Sequence, residues 1–136
     1  MNGSYLLMIE LKDEATICIG KLGCINFPAS WYAYVGSALN GIEHRVKRHF
    51  SQNKKHHWHI DYFLDHASLH QAYFKENLKH EECDIAQLFS KRFSCIPSFG
   101  SSDCRCKSHL FYGDELDLKE TIRSAKMTLV ENKDLI

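Results

Sequence analysis

The sequence predicts an α+β fold: a small mixed, largely antiparallel sheet of three to four strands, flanked by helices. Three observations predict it. Residues 5–11 (YLLMIEL), apolar from Tyr5 to Ile9, read as a buried strand, and residues 31–35 are aromatic and β-prone. Three later segments place apolar residues at helical spacing. The order β-β-β-α, then strand and helix, sets helices against a small sheet. With 136 residues, 44% hydrophobic and 12% aromatic, the chain can bury one core, so residues 1–136 are expected to form a single domain.

Taken in order, residues 16–19 are expected to pair with 5–11 as a hairpin across Lys12-Asp13-Glu14, and residues 20–28 to be loop. Residues 31–35 supply the next strand. Gly36 and the Asn40-Gly41 pair break it, and a helix follows over residues 41–50, where Ile42, Val46 and Phe50 fall at i, i+4, i+8. A polar loop covers residues 51–56. Residues 58–66 read either way, because Trp58 and Tyr62 are helically spaced while the aromatic and β-branched content suits a strand. Residues 68–74 are a strand. Residues 81–93 are a helix with Ile85, Ala86, Phe89 and Phe93 on one face, and residues 94–109 are irregular. Leu118, Ile122, Ala125 and Leu129 mark a last helix over residues 117–131, packed on the domain, with Asp117 and Glu120 as its capping box.

Lys+Arg and Asp+Glu both number 17, so no global field draws this chain to nucleic acid or membrane. The distribution is less even. Residues 44–59 hold five Lys or Arg, five His and no acid, a local patch suited to a phosphate backbone. Lys47, Arg48, Lys54, Lys55, His57 and His59 are its candidate nucleic-acid contacts. No secretory signal or membrane span is expected. The six cysteines lack a disulfide scaffold's spacing, and Cys18 and Cys24 lie in or beside apolar runs. Buried free thiols and a reducing cytoplasm are the expectation.

The chemistry centres on residues 34–50. A tyrosine at a strand end, a permissive glycine, and Arg45 and His49 one turn apart on the next helix can grip and polarise a phosphate. On the second helix Glu82, Ala86, Phe89 and Phe93 follow i, i+4, i+7, i+11, so the Glu82 carboxylate points along the apolar face. An inward carboxylate wants a metal or Arg45; otherwise it is an acid favoured by the helix dipole. A second constellation is Cys104-x-Cys106-x-x-His109, which offers zinc three ligands that His57 or His59 can complete. The same loop can instead pack beside the cleft and shape it.

Gly3-Ser4-Tyr5 and Tyr34-Val35-Gly36 resemble the two half-motifs of the GIY-YIG nuclease superfamily, with Arg45 and His49 placed like its arginine and histidine. The phrases HWHIDY (residues 57–62) and SSDCRCKSHLF (residues 101–111) resemble the Uri-type endonuclease-like branch of small prokaryotic proteins. The resemblance runs from Gly3 to about Phe111. It implies a metal-dependent DNA endonuclease, with repair or another structure-directed role. Tyr5 or Tyr34 would be general base or orient the water, Arg45 would stabilise the phosphate, and His49 would assist it or hold the tyrosine. Glu82 would bind one Mg²⁺ or Mn²⁺. DNA is favoured over RNA, and a targeting partner protein is expected because the chain has no room for a large second domain. The separation of Tyr5 from Tyr34 exceeds the compact pattern and implies an inserted hairpin and loop. The rival reading is a non-catalytic module for nucleic acid or protein, its Cys/His loop held by zinc.

Overall fold

The structure is a computed structural model that describes residues 2–38, 41–51, 55–76, 81–101 and 104–131. Its frame is a six-stranded sheet in the order β6-β7-β4-β1-β5-β8. The long strands are β1 (Gly3–Leu11), β4 (Ser30–Ala38) and β5 (Ser68–Glu76); β6 (Ser94–Cys95), β7 (Leu110–Gly113) and β8 (Thr128–Leu129) lie outside them. The class is α+β as expected. The sheet is wider than three to four strands, because the outer positions are filled by strands of two to four residues that carry no periodicity of their own. Every pairing in it is antiparallel.

β1 lies between β4 and β5, with helices over both faces of the sheet, and this is why its residues from Tyr5 to Ile9 are apolar without alternation. Alternation along β1 and β4 divides the core. Tyr5, Leu7, Ile9, Tyr32 and Tyr34 face one side, with α1 (Ile42–Phe50) and α2 (His59–Leu64). Leu6, Met8, Ala33 and Val35 face the other, with α3 (Glu82–Ser90) and α4 (Glu115–Ser124).

Three local expectations change. The segment after β1 is not its hairpin partner, since both edges of β1 are taken by β4 and β5. Instead β2 (Ala15–Ile19) pairs with β3 (Gly23–Phe27) across a 3₁₀ turn, forming the inserted two-stranded sheet within what read as loop. Within it Ile17 and Ile19 point into the core, so Cys18 points out, directly opposite Cys24. The two form a disulfide, so they are neither buried nor free, and the inference of a reducing compartment loses its basis. No described helix is long and apolar enough to cross a membrane.

The last helix starts earlier and stops sooner than expected. Asp114, not Asp117, is its cap, accepting from the N–H groups of Leu116 and Asp117. The chain leaves the helix after Ser124, and Leu129 instead joins β8, pairing with Tyr73. The ambiguous segment resolves as helix α2. Asp61, at the third helical position, reaches back to the N–H of Trp58 and secures its start.

Candidate active site and an adjoining thiol cluster

The site begins with the register of β1 on β4, where Tyr5 stands opposite Gly36. The Tyr5 ring lies across that glycine: a Cβ built on Gly36 would meet the Tyr5 hydroxyl at 2.5 Å. Gly36 is therefore required for space. Gly36→Ala is expected to push Tyr5 out of place and to destabilise the fold by about 1–3 kcal/mol, as overpacking does. Urea unfolding measures it, and an unchanged midpoint would mean that Tyr5 is not seated there.

Tyr34 projects from the same face, its ring 6.4 Å from that of Tyr5. α1 crosses above them. Its first turn carries Glu43 and its last turn Lys47, Arg48 and His49, matching the helix dipole at both ends. Ile42 and Val46 are buried, but the expected stripe does not run on to Phe50, which is 40% exposed; His49 is buried instead. The His49 Nε2 lies 2.8 Å from the Tyr5 hydroxyl. Arg45 donates from Nη1 to the Ser37 carbonyl at 2.7 Å. Its guanidinium also lies 4.7 Å from the centre of the Trp58 ring.

Electrostatics follow from burial. Burial raises the Tyr5 pKa well above 10, and Tyr34 adds to this while Arg45 opposes it. Burial also raises that of Tyr34, helped by the charge of Asp61 and opposed by Arg45. Both phenols are therefore protonated at neutral pH.

A second layer holds the arginine face. Arg48 also stacks on Trp58, at 4.4 Å, and forks onto Asp61 with Nη1–Oδ1 at 3.0 Å and Nη2–Oδ2 at 3.1 Å. Asp61 is fully buried and accepts from the backbone N–H groups of His57 and Trp58 as well. Burial would raise its pKa, but the Arg48 hydrogen bond and the two N–H groups outweigh that and lower it. Arg48, expected at the nucleic-acid face, is thus engaged in holding α2 against α1. Lys47, Lys55 and His57 are exposed, while Lys54 lies outside the described residues.

Glu82 opens α3, whose Ile85, Ala86 and Phe89 pack on the opposite face of the sheet from Tyr5. Its carboxylate is half-buried and acts electrostatically on Cys106. Beside it Cys83, Cys104, Cys106 and His109 bring their ligand atoms within 4.8 Å of one another. This group is able to hold a metal ion. His59 does not belong to it: its Nδ1 accepts from the Gly100 N–H at 2.9 Å, and burial lowers its pKa. The fourth member is Cys83, pushed up to about 12 by burial and by the neighbouring Cys106 and Cys104 thiols. No local spacing signals Cys83, which lies 21 residues before Cys104. Only the fold of α3 onto the sheet brings them together.

The cluster adjoins the tyrosine face through β4. His109 bonds Val35 on both sides of its backbone position, Val35 N–H to the His109 carbonyl and His109 Nδ1 to the Val35 carbonyl, each at 3.0 Å. Tyr5, Tyr34, Arg45 and His49 form one group, whereas Glu82 stands apart from it, beside the thiols and on a helix packed against the opposite face of the sheet.

A family model described as Domain of unknown function DUF123 matches residues 4–131. No curated protein and no solved structure matches the chain.

Proposed function

This chain belongs to the DUF123 family, and on that premise we propose that it is a metal-dependent endonuclease hydrolysing phosphodiester bonds in DNA, in repair or another structure-directed role. The observation that carries this reading is the buried 2.8 Å hydrogen bond between Tyr5 and His49, with Arg45 at its side. The order of these residues, and its likeness to the GIY-YIG pattern, supports it.

Hydrolysis needs a water activated, phosphoryl charge neutralised and a leaving oxygen helped away. A free phenolate is not accessible here, because both tyrosines keep their protons. Tyr5 works instead as a relay. As water attacks phosphorus and the bond to the leaving oxygen breaks, the water proton moves to the Tyr5 oxygen while the Tyr5 proton moves to His49 Nε2, and the leaving oxygen takes a proton from solvent. Arg45, already oriented by Ser37 and Trp58, meets the charge growing on a non-bridging oxygen. Tyr34 packs against the same pair, its ring 6.4 Å from that of Tyr5 and 6.5 Å from that of His49.

Glu82 offers a carboxylate with one fully buried oxygen, the donor chemistry that Mg²⁺ or Mn²⁺ takes, and Mg²⁺ keeps several waters where a protein supplies one or two carboxylates. Glu82 would hold such an ion, and the chemistry the ion would supply is neutralisation of phosphoryl charge. The exposed Lys47 and Lys55 extend the basic face available to a phosphate backbone.

The test is cleavage of a labelled panel (duplex, nicked, flapped, branched and single-stranded DNA, and RNA) with Mg²⁺, Mn²⁺ or EDTA. Metal-dependent cutting that disappears in Glu82→Ala is the expected result. The thiol cluster favours one rival, a zinc-bearing module that binds without reacting; salt-sensitive binding with no cutting on any substrate would support that module and refute the enzyme.

A further inference from the structure

We propose that Cys83, Cys104, Cys106 and His109 form a closed, four-coordinate zinc site that ties the start of α3 to the back of the tyrosine-bearing strand β4. Three observations carry it. The ligand atoms already lie within 4.8 Å of one another, drawn from α3, the 104–106 loop and the residue before β7. Tetrahedral zinc with sulfur at about 2.3 Å and nitrogen at about 2.0 Å separates its ligand atoms by about 3.5–3.8 Å. The cluster needs only a small contraction around the ion. Cys104 Sγ and His109 Nε2 stand 3.3 Å apart.

The histidine is preset for this role. Its Nδ1 lies 3.0 Å from the Val35 carbonyl, and a carbonyl only accepts. The proton is therefore on Nδ1, and Nε2 turns its lone pair toward the thiols. A backbone carbonyl fixing the tautomer of a histidine ligand is how metal sites orient imidazole. His109 is 4% exposed, so its ring cannot readily turn to another partner.

The donor set selects the metal. Three thiolates and an imidazole suit zinc; Mg²⁺ and Ca²⁺ want oxygen. With all four positions filled by protein the ion has no open place for substrate, so its role is structural. What it stabilises is specific. Val35 sits between Tyr34 and Gly36 and bonds His109 at both its N–H and its carbonyl. A Cβ on Gly100 would stand 3.0 Å from the Tyr34 ring and 3.5 Å from the His109 Cβ, so Tyr34 and His109 meet across that glycine. The ion thereby anchors the strand end that presents Tyr34, and it anchors Glu82 through its neighbour Cys83. The inference does not depend on the nuclease reading, since metal content is read without any activity.

The experiment is metal analysis of the chain expressed with zinc and purified without chelator or histidine tag, followed by Co²⁺ substitution of reduced apoprotein. One zinc per chain, and a cobalt spectrum with thiolate charge-transfer bands and intense tetrahedral d–d bands, is expected. Loss of a group that merely orients a ligand costs about 10- to 100-fold in metal affinity, so Cys83→Ser should weaken zinc binding by about 100-fold or more. His59→Ala should keep the zinc. No zinc and no cobalt–thiolate bands in the wild-type chain would overturn the proposal, whether or not any variant folds. So would zinc lost in His59→Ala but kept in Cys83→Ser.

Discussion

Tyr5→Phe is expected to slow cleavage by about 10²–10⁴-fold while the chain stays folded, because a proton-transfer group is removed and nothing else. Phenylalanine fills the same space over Gly36 and keeps the ring contacts with Tyr34 and His49, at 6.4 and 5.3 Å. It lacks only the hydroxyl that bonds His49. His49→Ala removes the other end of the same relay. Since the two act as a unit, the double variant should be about as slow as the worse single variant, not the product of both. The rate profile carries a further mark of the relay. With the Tyr5 pKa raised well above 10, the phenol stays neutral throughout the usable range. The rate should therefore not climb as pH nears the ordinary tyrosine value of about 10. A climb there, or additive losses in the double variant, would mean that Tyr5 acts as a phenolate independently of His49.

Asp61→Ala is expected to lower stability by about 3 kcal/mol. It strands the Arg48 guanidinium and the buried N–H groups of His57 and Trp58 together. Arg48→Ala should cost less, because Arg48 is 29% exposed and water can take over part of its role. For a chain of 136 residues the loss in Asp61→Ala corresponds to a Tm lower by about 10 °C. The acid limb gives an independent reading. The Asp61 pKa is lower in the fold than in the unfolded chain. Its stabilisation is therefore complete above the unfolded value of about 3.9 and is lost as pH falls through the lower folded value. The variant should show a shallower loss of stability in that acid range. Equal acid limbs would mean that the carboxylate is not the group that titrates with unfolding.

The legible parts of this molecule are those written in short-range pattern. The run at residues 5–9 is apolar on both faces because the strand is covered on both, and Arg45 and His49 come together through a one-turn spacing that holds in any helix. The sheet's breadth was hidden because two-residue strands have no period to read. The Lys12-Asp13-Glu14 turn suggested a hairpin with β1, but strand partners are settled by which edges remain open, a tertiary matter. Cys18 in an apolar run resembled a core thiol, yet alternation sends every second residue outward, and it meets Cys24 there. The same limit applies to the site. Arg48 in a basic stretch carries no mark of its ion pair with Asp61, and Cys83 none of its place beside Cys104. Both partnerships join segments distant in sequence.

The most direct test of the nuclease account is single-turnover cleavage of end-labelled DNA in Mg²⁺ by the wild-type chain and by Arg45→Ala, each first shown to be folded. Arg45 bonds the Ser37 carbonyl, lies against Trp58 and bears on the Tyr5 hydroxyl; its loss should leave the folded core in place and remove charge stabilisation from the transition state. The account predicts cutting by the wild type and a rate about 10²–10³-fold lower in the variant. A variant that cuts as fast as the wild type, or a wild type that binds DNA and never cuts it, would contradict it.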